Sequence, residues 1–180
     1  MDTSVTLFHL SLLWMLSAPA FSATPPAYQL AAQATAIPDV VLYAVALQES
    51  GISLRGRIIP WPWTLNIAGA PYYYQTRAQA CIALHKALLR MAPTRIDAGL
   101  TQLNLGYQQR HYRQPCELLD PYRNLAIAAS ILKDQHRPDE SWLAAAGRYH
   151  RPAGGEIAAR YRLRVSQHLA QLIDERSIPR

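Results

Sequence analysis

The sequence predicts a mostly α-helical α+β fold, a single domain carrying one small β-hairpin. Three observations predict it. Half of the 180 residues are hydrophobic and 17% are charged, which supports one compact core and excludes a disordered chain. Beyond residue 23, most of the chain falls into segments whose apolar residues recur three and four apart. Between them, Trp61–Tyr74 holds two short β-prone runs, Thr64–Ile67 and Tyr72–Tyr74, separated by Ala68-Gly69-Ala70-Pro71. No repeat, low-complexity tract or linker divides the chain. The 13 prolines follow no Gly-X-Y period, which excludes collagen, and 2 cysteines are too few for a disulfide-dense mini-protein or a Cys-rich metal module.

The elements follow in order. Val5–Ala23 contains no Asp, Glu, Lys or Arg, and Leu7–Leu16 is apolar apart from His9 and Ser11. Small residues follow, and Ala20-Phe21-Ser22 meets the small-x-small cleavage rule. Residues 1–22 therefore read as a secretory signal and 23–180 as the domain. Met1-Asp2-Thr3 lacks the usual basic residue, and an uncleaved anchor is the alternative, weakened by Pro19. Export implies a periplasmic protein with no membrane span after cleavage.

Tyr28–Thr35 reads as one or two helical turns. Pro38 suits a first helical position, and Asp39–Ser50 has helical composition closed by Gly51 as a cap. Ile52–Pro60 reads as loop. Thr76 caps a helix to about Met91 with Ala80, Leu84 and Leu88 on one face, and Pro93 stops it. Asp97–Gly106 is the odd segment and carries candidate chemistry. Asp120-Pro121 starts a helix over Tyr122–His136 with Leu125, Ala128, Ala129 and Leu132 inward. Pro138-Asp139 begins another that reaches Tyr149. Glu156–Glu175 is the last helix, with an apolar stripe of Ile157, Tyr161, Val165, Leu169 and Leu172.

The net charge is +6, and loss of residues 1–22 removes Asp2 and no base. A basic exported domain suits an anionic polymer. Nucleic-acid binding rests on net charge alone and is not expected. Arg148, Arg151, Arg160, Arg162 and Arg164 read as a solvated helix face. The six histidines show no metal spacing, and Gly99–Gly106 lacks the Lys-Ser/Thr ending of a phosphate loop, so neither a metal nor a cofactor is expected.

Three segments carry candidate chemistry. Glu49 shares a helix side with Leu42, Val45 and Ala46. A carboxyl ending an apolar stripe is costly to ionise, and a carboxyl that keeps its proton can serve as a general acid. The plain alternative is a half-exposed Glu at a helix end. Gln102 and Asn104 are two amides among apolar neighbours, able to donate to and accept from sugar hydroxyls, or else to satisfy loop backbone. In Ala144–His150, small residues allow close helix approach. Tyr149 then stands at the helix end, as a group orienting a carboxylate or as an ordinary core tyrosine.

Taken in order, helix–Glu49-Ser50-Gly51, Gly99-Leu100-x-Gln102-x-Asn104 and Ala146-x-x-Tyr149 resemble the family 1 soluble lytic transglycosylase domain. The resemblance runs from about Asp39 to Val165. Trp61–Asn66 and Leu118–Leu125 are similar to a subgroup of small exported transglycosylases of conjugative-element and type IV secretion or pilus loci. The resemblance implies a lysozyme-like fold and cleavage of peptidoglycan glycan strands. Glu49 is then the catalytic acid, and Ser50, Gln102, Asn104 and Tyr149 are substrate-binding. Two departures stand out. Thr101 replaces a usual methionine, with an effect expected on packing only. His150 replaces a usual Asn, and no role is assigned to it.

The implied mechanism uses one carboxylate, no water and no metal. Glu49 protonates the bridging oxygen and then takes a proton from the muramoyl 6-hydroxyl, closing a 1,6-anhydro ring. No second acid is placed beside Glu49 by pattern; Asp97 is the nearest candidate. A lysozyme-type hydrolase and a non-catalytic wall-binding component are the rival readings. Cys81 and Cys116 form one disulfide or remain two thiols. Trp61, Trp63 and Tyr72–Tyr74 line a sugar cleft or pack the hairpin.

Overall fold

The computed structural model describes residues 24–177, so the expected signal segment 1–22 lies outside the described residues. The chain forms a mostly α-helical α+β single domain with a small antiparallel sheet. Its helices are α1 (Pro26–Thr35), α2 (Asp39–Ser50), α3 (Arg77–Leu88), α4 (Pro121–Gln135), α5 (Trp142–His150) and α6 (Gly155–Ser177). Among these described residues no helix is long and apolar enough to cross a membrane.

Helix α2 is the axis of the core. Leu42, Ala44, Val45 and Ala46 are fully buried, so this helix is apolar on every side, as a central helix must be. It packs against α1, α4, α5 and α6. Helix α1 is a full ten residues, longer than the turn or two expected. It ends at Ala36 in the left-handed conformation (φ 56°), whose N–H reaches back to the Ala32 and Gln33 carbonyls. Helix α3 begins with the expected Thr76 cap, and Gln79 completes a reciprocal capping box. Asp120 caps α4 by accepting from the Arg123 N–H at 2.9 Å.

Three expectations need correction, and one is refined. Gly51 caps α2 as expected, its N–H on the Leu47 carbonyl, and at φ −61°, ψ 128° it turns the chain directly into a strand. A Cβ there would lie 2.3 Å from the Leu47 carbonyl oxygen and 2.9 Å from Ile58 Cγ2, so the close approach selects glycine. Residues 52–60 are a hairpin rather than a loop: β1 (Gly51–Leu54) pairs with β2 (Arg57–Pro60). Its turn, Arg55-Gly56, has φ 51° and 77°, the double positive φ of a type I′ hairpin. Arginine carries little sequence signal for that conformation. Helix α5 starts at Trp142, not at Pro138, because Asp139 is held at φ 64° and interrupts any helix there. Ile157, assigned to the buried stripe of α6, is 42% exposed; Ala158, Tyr161 and Val165 are buried.

The expected hairpin is present as β3 (Thr64–Ile67) and β4 (Ala70–Tyr73), turning at Ala68-Gly69. Asp97–Gly106 contributes the two remaining strands, β5 (Ile96–Ala98) and β6 (Leu103–Asn104), in the order β4-β3-β5-β6. Period-two alternation gives this sheet two faces. Leu65, Ala98 and Leu103 are register partners and face the core, each at most 2% exposed. Asn66, Asp97 and Asn104 form the adjacent row on the other face. A disulfide joins Cys81 on α3 to Cys116 in the 3-10 turn Pro115–Leu119. By closing a loop of 35 residues it restrains the unfolded chain by about 4 kcal/mol.

One buried amide fixes the loop between β5 and β6. Asn124, 1% exposed on α4, donates to the carbonyls of Ala98 (3.0 Å) and Leu118 (2.9 Å). Its oxygen accepts from the Thr101 N–H (3.0 Å) and hydroxyl (2.7 Å). Thr101 therefore makes a polar contact, beyond the packing effect expected of it. Gly99, at φ 84°, lies against this amide; a Cβ there would sit 2.2 Å from Asn124 Nδ2. Replacing Asn124 by Leu strands two carbonyls and an N–H in the core, each costing about 1–3 kcal/mol. Asn124→Leu is expected to lower unfolding stability by about 3 kcal/mol or more, read as a reduced urea midpoint. An unchanged midpoint would refute the clamp.

Candidate active site

Glu49 lies in the last turn of α2, where the buried helix meets an open cleft of about 610 Å³. Its side chain is 16% exposed. The cleft walls include Glu49 and His150 from the helical side and the Asn66–Asp97–Asn104 row from the sheet. Burial raises the Glu49 carboxyl from 4.5 to about 7, a shift opposed by a hydrogen bond from Tyr161 and assisted by the nearby Asp97 charge. The carboxyl thus holds its proton close to neutrality, as the sequence pattern implied.

The group that orients this carboxyl is Tyr161, not Tyr149. The Tyr161 hydroxyl donates to Glu49 Oε1 at 2.7 Å. Tyr161 is 5% exposed, and burial holds its phenol far above the ordinary value, so it remains a donor. A phenol donating to Oε1 leaves the acidic proton on Oε2. Tyr149 lines the cleft, but its hydroxyl donates to the Thr101 carbonyl at 2.8 Å. The expected orienting role is corrected accordingly. The sequence signal for Tyr161 was its place on the α6 stripe, which marks it as core and says nothing of its hydroxyl.

The other expected residues are brought to the same region with different duties. Ser50 is 1% exposed, outside the cleft lining, and its hydroxyl donates to the Leu100 carbonyl at 2.6 Å. It pins the β5–β6 loop to the end of α2. Gln102 lines the cleft at φ 47° and donates to the Gly99 (2.8 Å) and Thr64 (3.2 Å) carbonyls. Asn104 also lines the cleft. It donates to the Thr94 carbonyl (3.0 Å) and Asp97 Oδ1 (2.8 Å), and its oxygen accepts from the Gly106 and Tyr107 N–H groups, both at 3.1 Å. Both amides frame the loop, and Asn104 has every polar atom engaged.

No family model, no curated protein and no solved structure matches this chain. The chemistry of the site rests on its own geometry.

Asp97, named from motif position in the sequence as the nearest second acid, lines the cleft. Burial raises its carboxyl above the ordinary range, and the Asn104 hydrogen bond works against that rise. Trp61, Trp63 and Tyr72–Tyr74 are absent from the cleft lining. The Trp61 indole N–H donates to the Tyr74 carbonyl at 2.6 Å and its ring meets Trp63 edge-on, so the two tryptophans pack the hairpin, while Tyr72 and Tyr73 are exposed. Arg148 is not part of a solvated face; it donates to the Gln135 carbonyl at 2.9 Å and pairs with Glu140. Gly147 lies against Arg162, where a Cβ would come within 2.7 Å of its side chain, which is the close helix approach expected of the small-residue run. Cys81, His85 and Cys116 bring three potential metal-ligand atoms within 4.8 Å. Two of these are sulfurs already bonded to each other, so they offer no thiolate pair.

The raised Glu49 carboxyl links stability to pH. The unfolded chain ionises this group near 4.5 and the folded chain near 7, so folding binds a proton between those values. The contribution is complete below 4.5 and is lost as pH rises to 7, about 3 kcal/mol in all. In urea unfolding at pH values spanning that window, wild type is expected to lose this amount relative to Glu49→Gln. Parallel curves for the two proteins would contradict a dry Glu49.

Proposed function

We propose that the protein is a peptidoglycan lytic transglycosylase of lysozyme-like fold. On this reading it cleaves the β-1,4 bond between N-acetylmuramic acid and N-acetylglucosamine. The observation that carries the reading is Glu49: a carboxyl 16% exposed at the wall of an open cleft, protonated up to about 7, with Tyr161 fixed on one oxygen. The resemblance in the segments around Glu49, Gln102 and Tyr149 supports the choice of substrate.

On this reading Glu49 makes both proton transfers. With Oε1 occupied by the phenol, Oε2–H protonates the glycosidic oxygen, and the C–O bond to the muramoyl anomeric carbon breaks. The substrate's acetamido group assists departure. Glu49, now a carboxylate, removes the proton of the muramoyl 6-hydroxyl as that oxygen bonds to the anomeric carbon. The 1,6-anhydro ring closes and the proton is back on Glu49. A positioned acid/base of this kind contributes roughly 10²–10⁴ in rate. The expected setting is the periplasm, where such an enzyme opens the wall locally for a secretion, conjugation or pilus apparatus.

A second reading has its own support. Asp97 gives the cleft a second carboxyl, and a carboxylate that activates water would make the protein a muramidase. Products separate the two: an anhydro-muramoyl end is lighter by one water than a reducing end. Purified peptidoglycan digested with the protein is expected to release anhydro fragments by mass spectrometry. Glu49→Gln is expected to bind wall sacs and release fragments at least about 10²-fold more slowly. Undiminished release by that variant would remove Glu49 from the mechanism, and sac binding without release by the wild type would make the protein a wall binder.

A further inference from the structure

His150 is a cleft residue that none of the roles above includes. It ends α5 and lines the cleft with its side chain 42% exposed. Its ring lies nearly parallel to that of Tyr161, 4° between planes and 4.4 Å between centroids. Its Nδ1 stands 3.9 Å from Glu49 Oε1, the same oxygen that accepts the Tyr161 hydroxyl. Imidazole, phenol and carboxyl thus form one contiguous group reaching from the buried end of α2 to solvent.

We propose that His150 is a positioning residue for Glu49, and that imidazole and carboxyl take up protons as one coupled pair. The inference deepens the assignment of Glu49 as the acid and rests on it. Two effects are involved. The stacked ring confines the Tyr161 phenol, so the hydroxyl stays on Oε1 whatever the charge of the imidazole. The second effect is electrostatic. At neutrality the imidazole is uncharged, because burial and the guanidinium groups of Arg151 and Arg164 hold its proton affinity down. Glu49 then keeps its proton.

When His150 charges at lower pH, a cation stands 3.9 Å from Oε1 and favours the carboxylate. Glu49 then gives up its proton more readily and takes one back from a sugar hydroxyl less readily. The return step fails first, so activity declines on the acid side. The other charged or titratable groups around the pair are Tyr161 and Arg164 on α6, Tyr149 and Arg151 beside His150 in sequence, and Asp97 on β5. Burial keeps both tyrosines neutral across this range, so Asp97 is the group to control for.

The test uses the full protein labelled with ¹³C at glutamate and histidine. The Glu49 carboxyl carbon and the His150 ring are followed by NMR over roughly pH 4 to 9, which spans histidine titration. In wild type, Glu49 is expected to show two inflections at least about one pH unit apart, the lower coinciding with that of His150. The lower one disappears in His150→Gln and persists in Asp97→Asn. A single Glu49 inflection in wild type, or a lower inflection that survives His150→Gln, overturns the coupling.

Wall digestion reads the positioning. His150→Gln is expected to lower kcat with little change in KM and to lose the acid limb of the pH profile. His150→Phe, which keeps a stacked ring without the charge, is expected to recover part of kcat and still lack the acid limb. Equal kcat loss in both variants overturns the stacking role. A wild type that releases no fragments yet titrates in two steps upholds the pair and removes the assigned reaction.

Discussion

A single amide holds the working parts in register. Asn124 grips the end of β5 and the β5–β6 loop and ties them to the segment before α4. From the far side, Ser50 and Tyr149 bond to the carbonyls of Leu100 and Thr101 in the same loop. Four elements therefore converge on a few residues of backbone, and Glu49 leaves α2 immediately beside that junction. The polar groups of this junction are buried and mutually satisfied, a condition under which such networks specify one geometry. Loss of any member loosens the wall on which the acid stands.

The acid itself depends on helix α2 being apolar all round. A surface helix would have delivered Glu49 to water and left it an ordinary carboxylate. A helix surrounded by α1, α4, α5 and α6 delivers it to the edge of the core, where one side is dry and the other opens on the cleft. Tyr161 then supplies a neutral donor instead of a cation, so the carboxyl is oriented without being forced to ionise. An arginine in place of that phenol would have held it deprotonated. The raised affinity for a proton is thus a property of the packing around two helices, α2 and α6, far apart in sequence.

Much of this was readable in the chain. The helices around Leu42–Ala46, Ala80–Leu84 and Leu125–Leu132 follow from apolar spacing, and Thr76 and Asp120 announce their starts. Glu49 stood out because its neighbours three and four residues back are apolar. What pattern could not supply was partner choice. Tyr149 and Tyr161 both sit on apolar helix faces, and nothing local says which hydroxyl meets the carboxyl and which meets a carbonyl. The Arg55-Gly56 and Ala68-Gly69 turns share one backbone geometry, yet only the second lay between runs that read as strands. Asn124 resembled a polar residue on an otherwise apolar helix; its role depends on carbonyls of Ala98 and Leu118, brought to it by the tertiary fold. Gln102 and Asn104 line the cleft, while their hydrogen bonds serve the loop.

The outer face of α6 has a different character from the site it shields. Arg160, 67% exposed, lies on an outward turn of the same helix whose inner face carries Tyr161. Ionic strength acts unequally on the two faces. Mobile counterions crowd around exposed guanidinium groups and weaken their reach beyond about 8 Å at physiological salt. They scarcely enter the space between a neutral phenol and a neutral carboxyl. The exposed charge and the proton on the shielded carboxyl therefore respond to different solution conditions, one to electrolyte and the other to acidity, although a single helix bears on both.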